Sequence, residues 1–106
     1  MDITLEAFRS PSEAERLIRE EGLELLPYEV RDGDTSNLLT QPHAHRSAIT
    51  AYVLDGLVRV YDAEGVLREA PAGARIFVPA GEMHQEIEGG YRALLGVNRK
   101  SRATGA

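Results

Sequence analysis

Three residues in this chain are suited to metal chemistry by type and spacing. Two of its three histidines form the run Pro42-His43-Ala44-His45, and the third closes a second punctuated run, Gly73-x5-Pro79-x-Gly81-x2-His84. On an extended segment the side chains at i and i+2 project to the same side, so His43 and His45 present their rings together. An imidazole from a neighbouring strand would complete one face of a metal ion, and neutral imidazole nitrogen suits zinc, iron, copper or nickel. A lone His-x-His is more often an accident, its rings satisfied by ordinary hydrogen bonds. The glycines and prolines around all three histidines are what argue for a site.

The rest of the composition narrows the chemistry. There is no cysteine, which removes disulfides, thiolate ligands and a cysteine nucleophile, and fits a reducing compartment. Seventeen acidic against twelve basic residues leave a net charge of −5, which argues against an extended nucleic-acid or anionic-membrane surface. No apolar run approaches the roughly 18 residues needed to span a bilayer. The N-terminus lacks a basic region followed by an apolar one, so a cytoplasmic protein is expected.

The histidines must be held by strands. Residues 2 to 8 suggest a short edge strand, followed by a helix over about 11–21: Ser10 can cap it, Pro11 suits its first position and Glu13 completes a capping box. Ala14, Leu17 and Ile18 form its apolar stripe and Gly22 ends it. This helix is expected to cover a sheet edge or a barrel end. From Leu23 the period becomes that of strands. Strands are expected at 25–31, 37–41, 49–54, 57–61, 66–69, 75–78, 85–88 and 91–98, with turns at Asp32-Gly33-Asp34, Asp55-Gly56, Asp62 to Gly65, Pro71 to Gly73 and Gly89-Gly90. At 106 residues this is one domain, and short strands at such spacing mean a sandwich or barrel.

The two histidine runs resemble the paired motifs of the cupin superfamily. The first becomes Asn37, His43, His45, Ile49 and Gly56; the second, Gly73, Pro79, Gly81, His84 and Glu88. The resemblance covers about residues 25–98 and implies an all-β fold, a double-stranded β-helix or jelly-roll barrel, with one short N-terminal α-helix. Residues 1–24 are then an N-terminal extension, 25–98 the barrel and 99–106 a flexible tail. It also implies one divalent metal ion (iron, zinc, nickel, manganese or copper) on His43, His45 and His84.

The family's fourth ligand, a glutamate, falls on Ile49, which shares the parity of the histidines and should add an apolar patch beside them. Thr50 has the wrong parity to replace it. A three-histidine ion keeps its double charge and open positions, and so suits a small anionic chelating ligand such as an enolate or a hydroxy or keto acid. The resemblance points to dioxygenase-like chemistry, or to isomerase or lyase chemistry. A thiol dioxygenase fits less well, because those enzymes use a further histidine. The rival reading is a non-catalytic cupin that binds or senses a small ligand or a metal; another is an empty barrel with relic histidines. A homodimer is expected from the same resemblance.

With no fourth histidine, proton transfer falls to Glu82, Glu86, Glu88 or a tyrosine. Simple alternation aims Glu86 inward as a catalytic base or a substitute ligand. A bulge after His84 would instead turn Ile87 inward and leave Glu86 in solvent, and the cost of burying an unpaired carboxylate favours the bulge. Arg46 and Arg75 could clamp a carboxylate, although surface ion pairing suits each better. Tyr52 is expected on the far face of its strand, and Tyr28 and Tyr91 in the core or at an interface, without chemistry.

Overall fold

The structure, a computed structural model, describes residues 1–31, 41–87 and 89–98. The expected Asp32–Asp34 turn, residues 37–40 of the next expected strand, Glu88 and the 99–106 tail lie outside the described residues. The elements are β1 (Asp2–Thr4), α1 (Pro11–Glu20), β2 (Glu24–Val30), β3 (Ile49–Tyr61), β4 (Leu67–Pro71), β5 (Arg75–Val78), β6 (Gln85–Glu86) and β7 (Tyr91–Val97). This is the all-β barrel with one short helix that the strand pattern predicts.

The long strand β3 joins the two walls of the barrel. Its first part pairs with β5 on one side and β7 on the other, within the sheet order β1-β5-β3-β7-β2; its second part pairs with β4 and β6. Asp55-Gly56 is therefore not the hairpin turn expected from its composition. The register against β7 slips between Val53 and Asp55, a bulge with Leu54 as the extra residue, and Gly56 takes φ +82°. One extra residue inverts the in–out alternation. Ile49 and Ala51 before the bulge and Val58 and Val60 after it thus line the same cavity. Gly56 also packs against the chain opposite: a Cβ there would stand 2.2 Å from the Gly90 carbonyl oxygen.

The true hairpin joins β3 to β4. Asp62 Oδ1 accepts from the backbone N–H groups of Glu64 and Val66, and Gly65 supplies the positive φ. One core cluster, built from Val53, Val58, Ala70, Ala74, Ile76 and Val78, packs inside the barrel. A second lies outside it, where Ala14 and Ile18 of α1 cover Tyr52, Leu94 and Phe8. The helix starts as expected, with Ser10 Oγ accepting from the Glu13 N–H, and it packs on the outer face of the sheet at the end formed by β7 and the edge strand β2. Tyr52 points to that outer face, as its parity requires, and is 1 % exposed. Among the described residues no helix is long and apolar enough to cross a membrane.

Candidate metal centre

The segments carrying the three histidines are zipped together by backbone hydrogen bonds. His43 and His84 exchange both N–H···O=C bonds at 2.9 Å, the closely spaced antiparallel pair, and the Gly81 N–H donates to the His45 carbonyl at 2.9 Å. Gly81, at φ +78°, makes the turn that aims His84 back at His43. Ring centroids then lie 4.2 Å apart for His43 and His84, and 5.1 Å apart for His45 with each of the others.

Tautomers follow from the hydrogen bonds. His43 Nδ1 lies 2.7 Å from the Gln41 carbonyl and His84 Nδ1 lies 3.1 Å from the Glu82 carbonyl. A carbonyl can only accept, so each Nδ1 carries a proton, and in the neutral ring each Nε2 presents a lone pair. His43 Nε2 is buried and has no hydrogen-bond partner. An orphaned buried acceptor is rare and calls for an occupant. One ligand nitrogen from each ring lies within 4.8 Å of the other two. Metal–nitrogen bonds of about 2.0–2.1 Å place ligand nitrogens ~3 Å apart, so small ring rotations suffice. Burial lowers the His45 pKa to about 4, helped by repulsion from His84 and His43, and burial lowers that of His84 as well. Both rings are thus neutral near pH 7, the form that binds a metal.

His45 and His84 open onto a cavity of about 150 Å³ between the two walls of the barrel. Ile49 lines it, where the family pattern has its carboxylate, while Thr50 points to the opposite face with Arg46, Arg75 and Phe77. Arg75 does not reach the cavity; it donates to the Tyr52 hydroxyl at 3.2 Å and ion-pairs with Glu21 at 3.4 Å. Glu82 ion-pairs with the Met1 amino group at 2.7 Å.

Glu86 does line the cavity. No bulge turns it out: it stands opposite Val60 in the β3–β6 ladder, and directly opposed residues share a face. The expected penalty is relieved by Tyr91, whose hydroxyl donates to Glu86 Oε1 at 2.6 Å. Burial raises the Glu86 pKa, opposed by this bond and by the nearby His43. Burial also raises that of Tyr91, reinforced by the Glu86 charge, so Tyr91 keeps its proton and stays a donor. Sequence reasoning gave Tyr91 no chemistry. The only available signal was parity, since Tyr91 begins a strand and its partner Glu86 lies across the barrel wall.

Two sheets closed round a cavity, with three histidines gathered on two zipped segments beside it, define a cupin-type barrel whose histidine cluster fits a metal ion. No family model matches the sequence, and no curated protein matches it. Solved structures do. A DUF861-family protein from Thermotoga maritima is 18 % identical, aligns over 91 % of this chain and 97 % of that one, and gives a TM-score of 0.56. KdgF from Halomonas sp. is 23 % identical over 76 % of this chain and 73 % of its own, with a TM-score of 0.49. A cupin 2 conserved barrel domain protein from Leptotrichia buccalis is 19 % identical over 71 % and 41 %, with a TM-score of 0.47. The likeness is one of fold.

Proposed function

We propose that the protein is a metal-dependent cupin enzyme in which His43, His45 and His84 hold one divalent cation and a small anionic chelating molecule is the substrate. The observation that carries this reading is the buried, unpartnered His43 Nε2, locked as an acceptor by the bond from Nδ1 to Gln41. When bound, such a cation supplies Lewis-acid polarisation of a chelated oxygen. The chain's own residues do the rest. The walls are apolar, and Glu86, the only carboxylate lining the cavity among the described residues, is the proton acceptor. It takes a proton from the carbon beside the chelated carbonyl; the C–H electron pair stays on the substrate as an enolate. Tyr91 holds Glu86 in place through Oε1. Such a step can begin an isomerisation, an elimination or an oxygen-dependent cleavage.

Ile49 in the carboxylate position favours a second reading, a non-catalytic cupin that binds or senses a metal or small ligand. A homodimer belongs to the proposal as well, supported by the exposed Leu57, Tyr61 and Leu67 on one face of the β3–β4 hairpin, and light scattering measures it.

The first test is elemental analysis of protein purified without a tag or chelator, beside a His43→Ala, His84→Ala double variant. Near-stoichiometric metal in the native protein alone supports the centre. Iron would direct the next assay to oxygen uptake, and zinc or nickel to isomerisation and elimination. No metal after reconstitution would end the catalytic reading. Exchange of the substrate C–H in deuterium oxide, lost in Glu86→Gln, then separates enzyme from binder.

A further inference from the structure

We infer that the substrate is a monoanion with a carbon skeleton of about six atoms in all, chelating through a single carboxylate and its adjacent oxygen and carrying no second charge. The inference rests on the metal-centre reading above and comes from the rest of the cavity. Ala51, Val58, Val60, Ile76, Val78 and Leu95 form its walls, and no arginine or lysine lines it among the described residues. Glu86 is its only charged side chain, and its charge is negative. A ligand's first carboxylate is neutralised by the cation. A second, placed against those walls, would be stripped of water and repelled by Glu86, and the cation at the rim, the amino group of Met1, is already paired with Glu82 at 2.7 Å. Sugar acids fare badly for a related reason: their hydroxyls would face methyl groups, with Glu86 and the tyrosine hydroxyls as the main partners. Size sets the remaining limit. An apolar space of about 150 Å³ is filled by a molecule about as large as benzene, so a whole skeleton near six carbons makes the most contact with it.

The test uses cobalt(II)-loaded full-length protein, with the visible cobalt spectrum and thermal shift as readouts and 2-hydroxy acids of increasing length as probes. From lactate through 2-hydroxybutanoate and 2-hydroxypentanoate, affinity should rise about three- to fourfold per added carbon. It should peak near 2-hydroxy-4-methylpentanoate and fall at 2-hydroxyoctanoate. Malate has the same number of non-hydrogen atoms as 2-hydroxy-4-methylpentanoate but ends in a carboxylate, and should bind at least about tenfold more weakly. Ala51→Leu, which fills part of the cavity, should move the optimum to three or four carbons, at about threefold per lost carbon.

Equal affinity for malate and its aliphatic counterpart would overturn the inference, as would a series with no dependence on length, while cobalt uptake left the metal centre standing. Failure to take up cobalt would overturn both. The unsubstituted protein carries the series and the malate comparison, so these outcomes do not depend on the folding of Ala51→Leu.

Discussion

Gly56→Ala tests the bulge that turns β3 from one wall of the barrel into the other. Three costs add at this position. At φ +82° any L side chain pays roughly 1–2 kcal/mol for the left-handed conformation. The new Cβ would also stand 2.2 Å from the Gly90 carbonyl oxygen and 2.8 Å from the Tyr91 Cα, both backbone atoms that cannot swing aside. Relief requires β7 to retreat, at an overpacking cost of about 1–3 kcal/mol. It also weakens the bond from the Leu57 N–H to Gly90, worth about 1 kcal/mol. The total, about 3–6 kcal/mol, is a large part of the ~5–15 kcal/mol of a small domain. Gly65→Ala is the control: its φ of +78° is nearly the same, but nothing lies within 4 Å of the added Cβ, so only the conformational cost of about 1–2 kcal/mol remains. Urea unfolding of metal-free protein followed by circular dichroism measures both. Midpoints that place the two variants within about 1 kcal/mol of each other would refute the close approach at Gly56. The outcome bears on the site, because the strand that must move carries Tyr91.

Three further outcomes follow from the cavity and its histidines. The His45 ring should stay neutral down to about pH 4 in metal-free protein, read from its imidazole resonances, against 6.5 for an unperturbed ring. Because the folded pKa is the lower one, the unfolded chain binds the extra proton, and stability is lost as pH falls from about 6.5 to about 4. After discounting for partial exposure the loss from this ring is about 1–2 kcal/mol, and His45→Asn should remove that part of the pH dependence. Ile49→Glu puts a carboxylate beside His45 and His84, and should tighten zinc by about one to two orders of magnitude in competition titrations. The same change should destabilise the metal-free protein by about 1–3 kcal/mol. Tyr91→Phe keeps the ring but removes the 2.6 Å bond to Glu86; metal uptake should be unchanged, whereas proton exchange should fall about tenfold, a barrier increase near 1.4 kcal/mol.

The sequence by itself determined the elements whose signals are local. Ser10, Pro11 and Gly22 delimit α1 because caps are satisfied within one turn, and Asp62 to Gly65 closes a hairpin with its own side chain and glycine. The three histidines were legible because His-x-His on extended backbone and Gly81-x2-His84 after a turn each dictate a direction, and two directions sufficed to bring the rings together. Tertiary structure decided what depended on a partner distant in the chain. Asp55-Gly56 has the composition of a turn, but pairing with β7 on one side and with β4 and β6 beyond it keeps β3 continuous, so the glycine serves a bulge. For Glu86 the sequence leaves two placements, inward by alternation as a candidate base or outward by a bulge, and the cost of burying an unpaired carboxylate favours the second. The barrel brings the Tyr91 hydroxyl to it, and that single donor reverses the balance. No pattern within either segment encodes that contact, since it exists only once two strands of a closed barrel face the same cavity.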